Sequence, residues 1–112
     1  MLIVREFLTP RGRSPYREWF SSLDVAERGR VQARMLRFEL GNFGDHRLVG
    51  KGVWEARLMF GPGYRVYFAR QGDSIVVLLA GGDKKTQASD IALAQEYWFD
   101  YLKGSSSAET QH

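Results

Sequence analysis

The chain has 112 residues, no cysteine and a net charge of +3, with a pI near 9.4. This length suits one domain, no apolar stretch reaches the ~20 residues that a membrane-spanning helix needs, and the lack of cysteine excludes a disulfide framework. We therefore expect a cytoplasmic protein with no membrane partner. The mild charge gives only a weak preference for nucleic acid or an acidic protein as partner.

The first third of the chain predicts a strand followed by two helices. Residues 2–8 are rich in strand-forming side chains and stop at a Thr-Pro-Arg-Gly sequence, which is typical of a strand and a turn. Ser14 before Pro15 has the pattern of an N-cap followed by proline at the first helical position. Asp24 is placed to cap a second helix, which should end near Gly41.

Three arginines recur at helical spacing along the second helix, at Arg30, Arg34 and Arg37. This stripe has two interpretations. In the first it is a solvated helix face whose aliphatic stems cover apolar neighbours. In the second its charges contact RNA or an acidic partner.

The glycine-rich polar segment 42–52 is interpreted as a loop that leads into a β-hairpin. The hairpin is predicted from alternating side chains on both sides of the turn Gly61-Pro62-Gly63. One face of its first strand is apolar and should face the core: Trp54, Ala56, Leu58 and Phe60. The other face carries Val53, Glu55, Arg57 and Met59.

Pairing of Phe60 with Tyr64 would align apolar side chains along the core face of the hairpin. The same register puts Arg57 opposite Tyr67, with Arg65 diagonal to Arg57. Since a shift by one residue would move both arginines into the core, where a bare charge is costly, we expect this register to be well specified.

A second turn is predicted at Gly72, because glycine suits the first position of a two-residue type II′ loop. Gln71 then pairs with Ser74, which places Val77 beside Phe68. The apolar run that follows is typical of a strand buried on both faces.

In this register Ala80 lies beside Arg65, so the chain leaves the sheet near both hairpin arginines. The exit segment is Gly81-Gly82-Asp83-Lys84-Lys85. We therefore expect Lys84 and Lys85 to join Arg57 and Arg65 in a surface that binds phosphate.

A last helix is predicted from Thr86 as N-cap to Gly104 as C-cap. Its apolar face carries Ile91, Ala94, Trp98 and Tyr101. We expect residues 1–104 to form a single domain and residues 105–112 to form a flexible tail.

Three motifs, in this order, resemble a known family. They are Gly52-Val53-Trp54-Glu55-Ala56-Arg57-Leu58, Phe60-Gly61-Pro62-Gly63-Tyr64-Arg65-Val66-Tyr67-Phe68 and Leu79-Ala80-Gly81-Gly82-Asp83-Lys84-Lys85-Thr86-Gln87. Together they resemble the RelE/ParE toxin superfamily of bacterial toxin–antitoxin modules, and within it the phage-derived Gp49-like, HigB-type branch. The resemblance covers residues 1–103 and implies a RelE-like α+β fold with a mostly antiparallel four-stranded sheet. Its element order is one strand, two helices, three strands and one helix, with the helices packed on the sheet.

The resemblance also implies a function, the toxin of a type II toxin–antitoxin module. Such a toxin is a ribosome-dependent endoribonuclease that cuts mRNA in the ribosomal A site, inhibits translation and is silenced by a helix-turn-helix antitoxin of HigA type. No metal or cofactor is needed, because the RNA 2′-hydroxyl can act as the nucleophile. The ParE branch supplies the alternative, a non-catalytic toxin that binds and inhibits DNA gyrase.

The resemblance assigns phosphate binding to four cations. Arg65 would hold the scissile phosphate, Arg57 would share that role or position the RNA backbone, and Lys85 with Lys84 would stabilise phosphate charge or donate a proton. In the alternative interpretation Arg57 forms an ordinary surface ion pair with Glu55.

The general base is not assigned, because this chain has Ile91 where well-studied relatives carry a tyrosine. The candidates for proton transfer or base stacking are Tyr67, Glu55, His46 and Asp83. Against them, a lone loop histidine is usually solvated, and an aspartate after two glycines is often part of a turn. The expected RNA- or ribosome-binding residues are Arg30, Arg34, Arg37 and Lys51.

Overall fold

The computed structural model describes the backbone of residues 1–110 and the side chains of residues 1–104. Its elements are β1 (Ile3–Glu6), α1 (Pro15–Ser22), α2 (Val25–Glu39), β2 (His46–Gly50), β3 (Val53–Arg57), β4 (Arg65–Gln71), β5 (Ile75–Gly82), a 3₁₀ turn (Lys84–Thr86) and α3 (Gln87–Thr110). Within residues 1–110, no helix has the length and hydropathy needed to cross a membrane.

The predicted starts of the first two helices are confirmed. The Ser14 hydroxyl accepts a hydrogen bond from the backbone N–H of Arg17 at 3.0 Å, and the Asp24 carboxylate accepts one from Glu27 at 2.8 Å. Gly41 follows the end of α2 with a φ of 78°, a left-handed conformation that glycine adopts without strain.

The strands form one five-stranded sheet in the order β1-β5-β4-β3-β2. β1 pairs with β5 in parallel, and the other neighbours are antiparallel. The α+β class and the mostly antiparallel sheet are as predicted, but the count of four strands is wrong. Part of the supposed loop, His46–Gly50, forms β2 along the edge of β3.

The predicted faces of the β3–β4 hairpin are confirmed, although its register differs by two residues. Arg57 lies opposite Arg65, and Glu55 lies opposite Tyr67. Since side chains alternate with a period of two, a shift by two residues keeps each side chain on its predicted face. The connection is wider than predicted because the strand ends at Arg57, before Phe60.

The predicted pairing of β4 with β5 is wrong. Gln71 lies opposite Ile75, so the loop has three residues instead of two. An irregularity further along then places Gly82, and not Ala80, opposite Arg65. β5 is apolar at positions facing both sides of the sheet, so its sequence pattern contains no information on register.

Helices cover both faces of the sheet, which we name the α1/α2 face and the α3 face. The core of the α1/α2 face includes Tyr16, Val31, Met35, Phe38, Ala56, Val66, Phe68 and Leu78. The core of the α3 face includes Val53, Tyr67, Ala69, Val77, Leu79, Ala94 and Trp98. Ile91 and Tyr101 pack against this second core, which confirms the predicted apolar face of the last helix.

The last helix is longer than predicted. α3 continues through Gly104 to Thr110, so the predicted C-cap at Gly104 is wrong. A glycine inside a helix weakens it by about 1 kcal/mol relative to alanine but does not by itself end it. The flexible tail at 105–112 stays a prediction, and residues 111–112 lie outside the described residues.

Candidate functional site

A buried polar network lies on the α3 face where β3, β4 and the start of α3 meet. At its centre is Glu55, whose side chain has no exposed surface. The Tyr67 hydroxyl donates to Glu55 Oε2 at 3.1 Å, and Gln87 Nε2 donates to the same oxygen at 2.9 Å. Arg47 Nε donates to the other oxygen, Oε1, at 3.0 Å. We refer to these four residues as the Glu55 network.

The Glu55 network keeps its carboxylate ionised. Burial opposes the charge on Glu55, but the hydrogen bonds from Gln87, Arg47 and Tyr67 outweigh burial, and its pKa lies below the ordinary value. Burial and the Glu55 carboxylate raise the pKa of Tyr67, so its hydroxyl stays protonated and donates. The ring of Tyr67 is also fully buried, so an RNA base could stack on it only if α3 moved.

Arg65 lies next to the Glu55 network, and part of its guanidinium is held in place by neighbouring groups. Its Nε lies 3.6 Å from Glu55 Oε2, within ion-pair range but too far for a hydrogen bond, and its side chain is only 11% exposed. Its Nη1 donates to the carbonyl of Gly63 at 2.6 Å. The Nε atom is buried and makes no hydrogen bond, and the Nη2 group makes none to the described side chains or backbone. The Nη2 group therefore keeps its hydrogen-bonding capacity for a ligand.

Arg57 shares the face of Arg65 because the two residues are directly opposite across the hairpin. Its guanidinium pairs with Asp45, with Nε 3.3 Å from Oδ2 and both side chains nearly half exposed. The partner is therefore Asp45 and not Glu55, which the ordinary ion-pair interpretation had named. An exposed pair of this kind contributes under about 1 kcal/mol, so an incoming phosphate could replace the aspartate.

The 3₁₀ turn brings Lys84 to the same corner of the molecule. The backbone N–H of Lys84 lies 3.4 Å from the carbonyl of Pro62. A Cβ placed on Gly63 would lie 3.1 Å from Arg65 Nη1 and 3.3 Å from Lys84 Cβ, so the Arg65 guanidinium and the base of the Lys84 side chain lie on either side of this glycine. Lys85 follows in the same turn and is exposed. The structure thus brings Arg57, Arg65 and Lys84 together, with Lys85 adjacent.

Other predicted site residues lie elsewhere or are already engaged. His46 is opposite Ala56, which puts its ring on the α1/α2 face, 5.3 Å from that of Trp54. Lys51 lies in the turn between β2 and β3, at the far end of that strand pair from Arg57. The Asp83 carboxylate accepts from two backbone N–H groups and caps the 3₁₀ turn.

The arginine stripe of α2 lies along the α1/α2 face, and its three members make different contacts. Arg34 donates to three backbone carbonyls, one at the end of β3 and two in the loop between α2 and β2, at 2.8–3.2 Å. Its position is therefore structural. Arg30 lies over the ring of Phe60 at 5.4 Å, and with exposed Arg37 and Met59 it lines a groove of about 350 Å³.

Three residues of the site were not predicted from the sequence. Arg47 was missed because its segment was taken as a loop, although Leu48 and Val49 next to a Gly-Lys-Gly turn were a signal for a strand. Gln87 and Asp90 lie in the first turn of α3, where no sequence pattern connected them to the sheet.

Asp90 carries a perturbed carboxylate. Its Oδ2 accepts a hydrogen bond from the Thr86 hydroxyl at 2.5 Å. Burial raises the pKa of Asp90, the Thr86 bond lowers it and the nearby Asp83 charge raises it, so that the net change is upward.

Two consecutive glycines let both helix layers approach the end of β5. A Cβ on Gly81 would lie 2.1 Å from the ring of Trp19 in α1, and a Cβ on Gly82 would lie 1.9 Å from Asp90 Oδ2 in α3. Successive residues of a strand point to opposite faces, so each glycine makes room for one helix. The close packing of α3 on β5 depends on Gly82.

The arrangement can bind an anion with several acceptor oxygens. Arg65 offers one directed amino group, Arg57 offers a guanidinium held by a weak ion pair, and Lys84 adds an exposed ammonium. Planar guanidinium groups bind phosphate oxygens in two places and stay charged at every accessible pH. The corner is therefore suited to a phosphodiester.

Comparisons with known proteins find a matching protein family and a similar protein from a bacterium. The family model described as "Phage derived protein Gp49-like" matches residues 18–98. An uncharacterized protein of Haemophilus influenzae is 44% identical over 78 residues, which cover 69% of this chain and 79% of that protein. The family match spans the residues from α1 to α3 that form the site.

Proposed function

This chain belongs to the Gp49-like family of phage-derived proteins, and from that membership we propose that it is the toxin of a type II toxin–antitoxin module. In this proposal it belongs to the HigB-type branch of the RelE/ParE superfamily and acts in the cytoplasm. It cleaves mRNA in the ribosomal A site and so inhibits translation. Its partners are the ribosome, the mRNA and a helix-turn-helix antitoxin of HigA type.

The observation that carries the proposal is the cross-strand pair of Arg57 and Arg65. Two guanidinium groups on one face, with Lys84 beside them, provide positive charge from three separate segments of the chain. A scissile phosphate would contact Arg65 Nη2 and would take the place of Asp45 at Arg57. The extra negative charge of the transition state is then stabilised by groups that are already in position.

The reaction is an internal attack by the RNA. The 2′-hydroxyl oxygen forms a bond to the adjacent phosphorus, the bond from phosphorus to the 5′ oxygen breaks, and the products end in a cyclic 2′,3′-phosphate and a 5′-hydroxyl. Arg57 and Arg65 hold the phosphate, and an exposed ammonium of Lys84 or Lys85 gives a proton to the leaving oxygen.

The test is induced expression with mapping of transcript ends. The wild-type protein should stop translation and create new mRNA ends within codons, and the pair of substitutions Arg57→Ala and Arg65→Ala should abolish both effects. Arg70→Ala is the matched control, since Arg70 lies exposed at the other end of β4 and should be dispensable. Wild-type protein that leaves transcripts intact, or a double variant that still cuts, would contradict the proposal.

A second candidate function is inhibition of DNA gyrase without catalysis. It is favoured by the carboxylates that already face both arginines, Asp45 at Arg57 and Glu55 at Arg65, because such pairs also occur in surfaces built for protein recognition. Replication arrest with intact transcripts would support this candidate.

A further inference from the structure

We propose that Asp90 is the proton acceptor that activates the RNA 2′-hydroxyl, a role that rests on the proposed endoribonuclease function. No sequence motif pointed to this residue.

The Asp90 carboxylate lies directly over the end of β5. Its Oδ2 occupies the place that a side chain on Gly82 would take, 1.9 Å from the ideal Cβ position. Gly82 is the residue opposite Arg65, and residues opposite each other in antiparallel strands share a face with Cα atoms about 5 Å apart. Asp90 therefore lies one strand away from Arg65, on the same face.

The other carboxylates at this corner are neutralised by donors. Glu55 accepts hydrogen bonds from Tyr67, Gln87 and Arg47, and no surface of its side chain is exposed.

Two aspartates that follow or precede the strands of the site, Asp45 and Asp83, are also occupied. Asp45 is paired with Arg57, and Asp83 caps the 3₁₀ turn through two backbone N–H groups. Asp90 differs from all three, since among the described side chains it accepts only from the Thr86 hydroxyl and forms no ion pair.

The surroundings of Asp90 favour its role as a base. The charged group that acts on the Asp90 carboxylate is Asp83, just after the end of β5, and Asp90 in turn acts on the Tyr67 hydroxyl of β4, which Glu55 and Arg65 also influence. Burial and Asp83 raise the pKa of Asp90 above that of an ordinary aspartate. A carboxylate with a raised pKa accepts a proton more readily.

The residues of the site can accept and donate every proton that the cleavage step moves. The 2′-hydroxyl proton moves to the Asp90 carboxylate as the bond to phosphorus forms. The leaving 5′ oxygen takes a proton from a lysine ammonium of the 3₁₀ turn. Water then returns Asp90 to the carboxylate and the lysine to the ammonium, so no oxidant, reductant or metal is consumed.

The decisive measurement is single-turnover cleavage of mRNA on purified, programmed ribosomes with the full chain and the variant Asp90→Asn. Asparagine keeps an acceptor for Thr86 but cannot take the proton, so the rate should fall by about 10²–10⁴-fold, the usual contribution of a general base. Asp100→Asn is the matched control, because it removes the same charge from an exposed position of the same helix and should cleave at the wild-type rate.

A pH profile separates proton transfer from a merely structural role. The wild-type rate should fall on the acidic side as Asp90 becomes protonated, and Asp90→Asn should lose this dependence. Because the Thr86 bond lowers the pKa of Asp90, Thr86→Val should move the acidic limb to higher pH. This second variant tests the inference even if Asp90→Asn folds poorly.

The outcomes distinguish the two proposals. If the wild-type protein cleaves mRNA and both variants keep its rate and its pH profile, the role of Asp90 is overturned. The endoribonuclease proposal would then still stand. No cleavage by the wild-type protein would overturn the endoribonuclease, and the role of Asp90 with it.

Discussion

The two faces of the sheet differ in what they bury. The α1/α2 face is filled with apolar side chains, among them the rings of Phe38 and Phe68, whose centroids lie 4.9 Å apart. The α3 face buries an ionised carboxylate, Glu55, together with the hydroxyl of Tyr67. The same strands thus supply an apolar core on both sides, and the α3 face adds a positioned charge network. Substitutions on the two faces should therefore differ in how they change the free energy of unfolding and its pH dependence.

The largest expected effect is on the apolar face. Phe38→Ala removes a ring with no exposed surface and should lower the free energy of unfolding by about 3–5 kcal/mol, measured by urea denaturation. Phe99→Ala is the control, because that ring is 62% exposed on α3 and its loss should change stability little. Similar losses for both variants would contradict the burial of Phe38 in the core of the α1/α2 face.

A smaller loss is expected from the charge network. Glu55→Gln leaves the donors Arg47 and Gln87 facing an amide and should lower the free energy of unfolding by about 1–3 kcal/mol at neutral pH. Exposed Glu96 offers the matched control, Glu96→Gln, which should have no such effect.

The same variant should change the pH dependence of stability. Because the pKa of Glu55 is lower in the folded protein than in the unfolded chain, its contribution is complete above the ordinary carboxyl pKa and is lost as the pH falls through the folded value. Acid unfolding of the wild-type protein should therefore be steeper than that of Glu55→Gln. Parallel curves would show that Glu55 does not carry this charge.

The paired glycines allow the sharpest comparison of the two faces. Gly81→Ala and Gly82→Ala should each lower the free energy of unfolding by about 1–3 kcal/mol, because each added Cβ meets a packed side chain. Only Gly82→Ala displaces Asp90, so it should reduce RNA cleavage in the folded fraction, whereas Gly81→Ala should spare it. Thermal unfolding and cleavage assays on the same samples would check both effects.

The smallest effect is expected at the exposed ion pair. Asp45→Asn should change the free energy of unfolding by under about 1 kcal/mol, and the change should vanish in high salt. Asp73→Asn, in the exposed β4–β5 turn, is the control. A large, salt-resistant loss would mean that Asp45 has a structural role beyond its contact with Arg57.

Sequence alone predicted what depends on local chemistry. The caps at Ser14 and Asp24 were found because a side-chain acceptor next to a helix start is a local pattern. The faces of β3 and β4 were found because alternation marks a strand between a core and a polar layer. The placement of Arg57 and Arg65 on one face followed from that alternation.

The wrong predictions share a physical cause. In each case the residues that determine the local structure lie far away in the chain. β5 is apolar on both faces, so only its neighbours fix its register with β4. β2 is held against β3 as an edge strand with few apolar residues of its own. The burial of Glu55 could not be read from its neighbours, since Gln87 arrives from a helix 32 positions later.

The parallel pairing of β1 with β5 joins Ile3 to Ile75, across most of the chain. A contact between segments so far apart in sequence forms slowly, because closing the long intervening loop costs conformational entropy. α3, which covers Glu55, comes later still in synthesis. A nascent chain can therefore bring Arg57, Arg65 and Lys84 together only after the 3₁₀ turn has been translated, and it can enclose Glu55 only after α3 has followed.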